Sequence, residues 1–83
     1  MSEWINVADC RPYVGQHPWV TVEYNKKRTV ERLYFRPDGF AKSQFFGYPI
    51  NEHVVAWKFS RSKPEPYIGE RKDIRTVWRP GRN

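Results

Sequence analysis

Apolar and polar positions alternate with a period of two through residues 18–24, where Val20, Val22 and Tyr24 stand against Trp19, Thr21 and Glu23. That is the mark of a strand with one buried face. The polar run Asn25-Lys26-Lys27-Arg28 predicts a turn. Residues 29–36 then read as the hairpin partner, with Leu33 and Phe35 facing one way and Arg32, Tyr34 and Arg36 the other. Arg36-Pro37-Asp38-Gly39 places proline and glycine as a reverse turn requires, so the chain is expected to run back as a strand over residues 40–46. Gly47, Pro49 and Asn51 end that strand. The last clear strand is residues 53–59, with His53, Val55, Trp57 and Phe59 on one face. Short links favour an antiparallel meander of about four strands. Before it, residues 1–17 show neither period, predicting an extended arm or a short edge strand over residues 4–7. In the tail, Ile74, Val77 and Trp78 fit a short helix, and Ile74, Thr76 and Trp78 fit an extra strand equally well.

Composition agrees with a mostly β class. The 83 residues include one leucine, one methionine and three alanines, against eight valines, four isoleucines, three threonines and fourteen aromatics. Helix formers are scarce and residues suited to a pleated, half-buried surface abound. Leu, Ile, Val and Phe together number only 18, close to the level at which chains fail to fold, so the tryptophans and tyrosines must supply much of the core. One small domain is expected over residues 1–66, followed by a basic extension over residues 67–83.

The net charge of +6 implies an acidic partner, and it is concentrated toward the end of the chain. Residues 60–83 carry seven basic and three acidic side chains. Cys10 is the lone cysteine, which excludes an internal disulfide and any multi-cysteine zinc site. Neither a signal-peptide pattern at the start nor an apolar run of about 20 residues is present, so the expectation is a cytoplasmic protein without a membrane partner.

The opening Glu3-Trp4-Ile5-Asn6-Val7-Ala8-Asp9, with Pro12 and Gly15 after it, resembles the start of the small DUF551 domains, Trp-Ile-x-Val-x-Asp-x-x-Pro. Val55-Ala56-Trp57-Lys58-Phe59, running on to Lys63-Pro64-Glu65-Pro66, is similar to that family's Trp- and Pro-rich ending. The resemblance spans residues 3–66. It implies a phage or prophage setting and brings no assigned function. Ala56 stands where the family has a histidine before the terminal tryptophan, the Pro-rich ending is displaced, and residues 67–83 fall outside the pattern.

Candidate contact residues come from charge and rings together. Arg71, Lys72, Arg75 and Arg79, with Trp78 among them, form the densest basic cluster; its plain alternative is a solubilising tail. Arg32, Tyr34 and Arg36 on one strand face, near Lys42, form a second basic surface with a ring, a combination used by single-strand nucleic-acid binders. An ordinary exposed strand also looks like this. Trp19 is expected to be partly exposed and a contact residue, whereas Trp4 and Trp57 are expected to pack against each other in the core.

Catalytic patterns are missing from the sequence. His17 and His53 lack a neighbouring nucleophile or carboxylate, Cys10 reads as a small buried residue, and the isolated glycines form no phosphate loop. No enzyme activity, cofactor or metal is expected. The expected function is a non-catalytic, phage-type accessory protein that binds and inhibits a host macromolecule, with an acidic host protein as partner. Direct binding of nucleic acid or a nucleotide is the alternative, and a structural role in a phage particle the third.

Overall fold

A computed structural model describes residues 3–72. Its strands are β1 (Ile5–Asn6), β2 (Trp19–Tyr24), β3 (Lys27–Arg32), β4 (Tyr34–Arg36), β5 (Gly39–Ala41) and β6 (Val54–Lys58), with one short 3-10 turn at Asn51–His53. The class is mostly β and antiparallel, as composition and period indicate. Arg75, Trp78, Arg79 and the helix-or-strand segment around Ile74 lie outside the described residues.

Strand order departs from a simple meander. Four strands form one sheet in the order β1-β6-β2-β3, and β4 and β5 form a separate two-stranded sheet. The β2–β3 hairpin turns on Asn25 and Lys26, with φ of 50° and 66°, and pairs Tyr24 with Lys27. Two consecutive positive φ values give the turn a twist that matches the flanking strands. The turn is therefore two residues long, and Lys27 and Arg28 belong to β3.

The expected continuous strand over residues 29–36 is broken at Leu33. Beyond Trp19 the neighbouring residue on β2 is Pro18, which has no N–H to continue the ladder. Leu33 N–H closes the pairing on Pro18 O at 3.2 Å, and the chain then leaves the sheet. It folds back so that β4 and β5 pack over one face. Leu33, Phe35 and Phe40 join Val7, Val20, Val22, Val54 and Trp57 in the core, all buried. Phe35 and Phe40 are register partners in edge-to-face contact, centroids 4.9 Å apart. Such a pair adds about 1 kcal/mol beyond its buried area.

The small sheet has both edges covered. Gly15 N–H donates to Phe35 O and Phe35 N–H to Gln16 O on one side, and Ile50 N–H donates to Phe40 O on the other. The β4–β5 turn is locked by Asn51, which accepts from Phe40 N–H and donates to Asp38 O. Gly39 is required there: its φ is 129°, and a Cβ would sit 2.1 Å from Asn51 Nδ2.

In β6 the shared face expected for His53, Val55, Trp57 and Phe59 is interrupted by a bulge. Thr21 pairs with Ala56 and Val22 with Val54, so Val55 is the extra residue and Val54 joins Trp57 in the core. His53 lies in the 3-10 turn and stacks on Tyr24. Trp4 and Trp57 do not pack together. Ile5 is opposite Trp57, which places Trp4 one residue out of step on the other side of the sheet.

That other side is covered by residues 63–72, which cross it as an extended strap. The expected boundary near residue 66 does not coincide with a break in contacts. Tyr67 N–H donates to Thr21 Oγ1, Asn6 Nδ2 donates to Glu70 O, and Arg28 Nη1 donates to both Tyr67 O and Gly69 O. Thr21, Val30, Val55 and Ala56 are all buried yet lie outside the main core cluster.

Candidate binding surface

The basic residues singled out from sequence are placed unequally. Arg71 pairs with Glu23 at 3.2 Å and donates to Glu52 O, and Lys72 pairs with Asp9 at 2.8 Å. The Asp9 carboxylate holds the Lys72 ammonium above its ordinary pKa. These two cations fasten the strap to the sheet. Arg36 chelates Asp38, Nε to Oδ1 at 2.9 Å. That bond keeps the Asp38 carboxyl below and the Arg36 guanidinium above their ordinary pKa values.

Arg32 and Tyr34 meet around His17, whereas Arg36 lies apart against the loop that follows β5, because the chain bends between β3 and β4. Arg32 lies over the Trp19 ring, 5.6 Å from its centroid, and its Nε donates to His17 O. Tyr34 stacks on His17 with centroids 3.9 Å apart and planes 6° from parallel. Burial, then the Arg32 charge, push the His17 pKa down, which favours the neutral ring in that stack. Trp19 is half-buried, as expected, and its indole N–H donates to Ser60 O.

Arg36 has a second role. Its Nη1 donates to Ser43 O at 3.2 Å and to Phe46 O at 2.9 Å. Ser43 Oγ accepts the N–H groups of Phe45 and Phe46. These local bonds compete with a strand ladder, and β5 accordingly stops at Ala41 rather than continuing to residue 46. Gly47, with φ of 83°, turns the chain through the left-handed region. The result is a loop whose backbone is held from inside and whose rings face water. Phe45 is 79% exposed, Phe46 76% and Tyr48 91%.

Sequence reasoning missed this loop. Its signal was present: two adjacent phenylalanines cannot both face inward on a strand of period two, and a serine precedes them with Gly47 and Pro49 behind.

Cys10 is exposed rather than buried; its Sγ contacts Arg11 O, and its carbonyl accepts the Trp57 indole N–H at 2.8 Å. The adjacent cleft, about 620 Å³, is lined by Asp9, Cys10, Arg11, Pro12, Tyr13 and Val14. Among the described residues, no group of three His, Cys, Asp or Glu side chains is placed to hold a metal ion, and no helix is long and apolar enough to cross a membrane.

In comparisons with known proteins, no family model, curated protein or solved structure matches this chain. The resemblance to DUF551 domains thus stands on the residues quoted for it.

Proposed function

We propose that the chain is a non-catalytic accessory protein of phage type that binds and inhibits a host protein, with Phe45, Phe46 and Tyr48 as its anchors. The observation that carries this reading is the pinned loop: two of the five phenylalanines in a chain poor in core residues are left in water on a backbone held by Arg36 and Ser43. Burying each phenylalanine ring is worth about 2 kcal/mol. A partner with an apolar pocket recovers that energy, and the fixed backbone lowers the ordering cost of binding. Aromatic rings and arginine dominate such contacts. The net charge of +6 favours an acidic rim around the pocket.

The phage setting rests on the DUF551 resemblance alone, and the inhibitory sense on analogy with short phage accessory proteins. The test is a photo-crosslinking phenylalanine analogue placed at Phe46 and activated in bacterial cells. A single covalent adduct to one host protein is the expected result. Adducts to nucleic acid only, or none above background, would contradict the reading.

A further inference from the structure

Away from the aromatic loop, one row across the large sheet alternates rings and cations. Register places Trp19 opposite both Lys58 and Arg32, and the Ile5–Trp57 pair puts Trp4 opposite Lys58 one step further along. The row reads Trp4, Lys58, Trp19, Arg32 over four adjacent strands. Lys58 Nζ lies over the Trp4 ring at 5.5 Å, as Arg32 lies over Trp19 at 5.6 Å. Each cation is thus held by a ring, and Arg32 additionally by its bond to His17 O. The indole N–H groups of Trp19 and Trp4 donate to Ser60 O and Glu65 O, so residues 60–65 run beside the row. That segment adds Arg61 and Lys63, both exposed.

Charge distinguishes this row from the clamped cations. Arg28, Arg36, Lys42, Arg71 and Lys72 each pair with a carboxylate. Among the described residues, Arg32, Lys58, Arg61 and Lys63 make no such pair. Four cations without a carboxylate partner, against the one exposed carboxylate of Glu65 in the same segment, leave a net positive surface around two half-buried tryptophans, complementary to a polyanion that also carries flat rings.

We infer that this row is a binding site for single-stranded nucleic acid. Lys58 and Arg32 flank Trp19, each one strand spacing away, about 4.8 Å. The Arg32 guanidinium over Trp19 extends that ring into a platform on which a base can stack, and the cations on either side give the phosphates a counter-charge. Unpaired bases suit the site better than a duplex, whose bases are already stacked. The site is separate from the aromatic loop and stands or falls independently of the protein-directed reading.

The test titrates the full chain with a fluorescein-labelled oligothymidylate between about 50 and about 200 mM salt, following anisotropy and tryptophan emission. Binding with quenched emission is expected, and Arg61→Ala with Lys63→Ala should lower the log affinity–log salt slope by about 1.4, at about 0.7 for each phosphate no longer neutralised. Those two residues are exposed, so this variant stays folded. Trp19→Ala, with its melt recorded alongside, should weaken binding roughly 5- to 150-fold through the absence of stacking. Phe45→Ser with Phe46→Ser should leave it unchanged. The inference is overturned by no binding at the lower salt, by a slope that responds only to Arg75→Ala with Arg79→Ala, or by heparin binding equally well with no change in emission.

Discussion

Residues 42–48 and residues 63–72 are both irregular segments, and both are held by the same device. One arginine, fixed by one carboxylate, donates to two backbone carbonyls of the segment. Arg28, paired with Glu23, holds Tyr67 O and Gly69 O; Arg36, paired with Asp38, holds Ser43 O and Phe46 O. The outcomes are opposite. The strap lies along the sheet face of Thr21, Val30 and Ala56, all buried, whereas the loop turns Phe45, Phe46 and Tyr48 to solvent. A clamped irregular segment therefore adds to the packed sheet when it lies over it, and adds an exposed aromatic surface when its rings point away.

The sharpest way to break the comparison is to remove the strap. A chain ending after Pro66 loses the four hydrogen bonds that join residues 67–70 to Thr21, Arg28 and Asn6, and should lose roughly 4 kcal/mol at about 1 kcal/mol each. Against the roughly 5 kcal/mol of total stability expected at this size, its urea melt should shift far down or lose cooperativity. A chain ending after Lys72 keeps the whole strap and its bonds to the sheet, and is the reference against which that melt is read. Equal melts for the two truncations would show that residues 67–72 do not support the fold.

Next in size, Arg28→Ala removes charged hydrogen bonds to two carbonyls and to Glu23, and should cost about 2 kcal/mol in chemical denaturation. Arg36→Ala removes the equivalent bonds from the loop and should cost well under half as much. Its effect belongs in hydrogen exchange, with faster exchange at the Phe45 and Phe46 amides. Equal losses from the two substitutions would erase the distinction between strap and loop.

Acid should weaken both clamps. Hydrogen bonding to Arg28, with a lesser part from Arg71, lowers the Glu23 pKa, and bonding to Arg36 lowers that of Asp38. A carboxyl with a depressed folded-state pKa adds stability that is complete above its unfolded value, about 4 for these groups, and is lost as pH falls through the folded value. Stability should therefore drop below about pH 4. Glu23→Gln should flatten much of that fall, and Asp38→Asn less, in melts recorded over the acid range. An unchanged acid limb in Glu23→Gln would rule out this clamp as its source.

The smallest effect concerns the β2–β3 turn, which belongs to neither segment and serves as a reference. Lys26 holds a left-handed φ that costs a non-glycine residue about 1 kcal/mol, so Lys26→Gly should raise stability by up to that amount without touching strap or loop. A lower melting temperature would show that the lysine side chain matters at the turn.

Much of the fold was legible because its cause is local. The period at Val20 and Val22 and the turn signal at Pro37, Asp38 and Gly39 each fix their element with neighbours in sequence. The strand order was not legible, since nothing near residues 54–58 states that this strand will enter between β1 and β2. Pro18 held a readable hint, because a strand cannot extend its pairing past a residue without an N–H. Residues 67–72 were assigned to a basic extension beyond the domain because Arg71 and Lys72 look alike in sequence whether they face Glu23 and Asp9 or a partner. Adjacent phenylalanines at 45 and 46 were absorbed into a strand that their own spacing argues against.

On the proposed function, the loop's rings are held for a partner and not for the fold. The most direct test compares the full chain with a Phe45→Ser, Phe46→Ser, Tyr48→Ser variant, measuring the melt of each and its capture of protein from a nuclease-treated bacterial lysate. Melting temperatures within about 2 °C are expected, since the sites are exposed, with one host protein retained by the full chain and lost by the variant. A variant that melts much lower, or that retains the same host protein equally well, would contradict the proposed function.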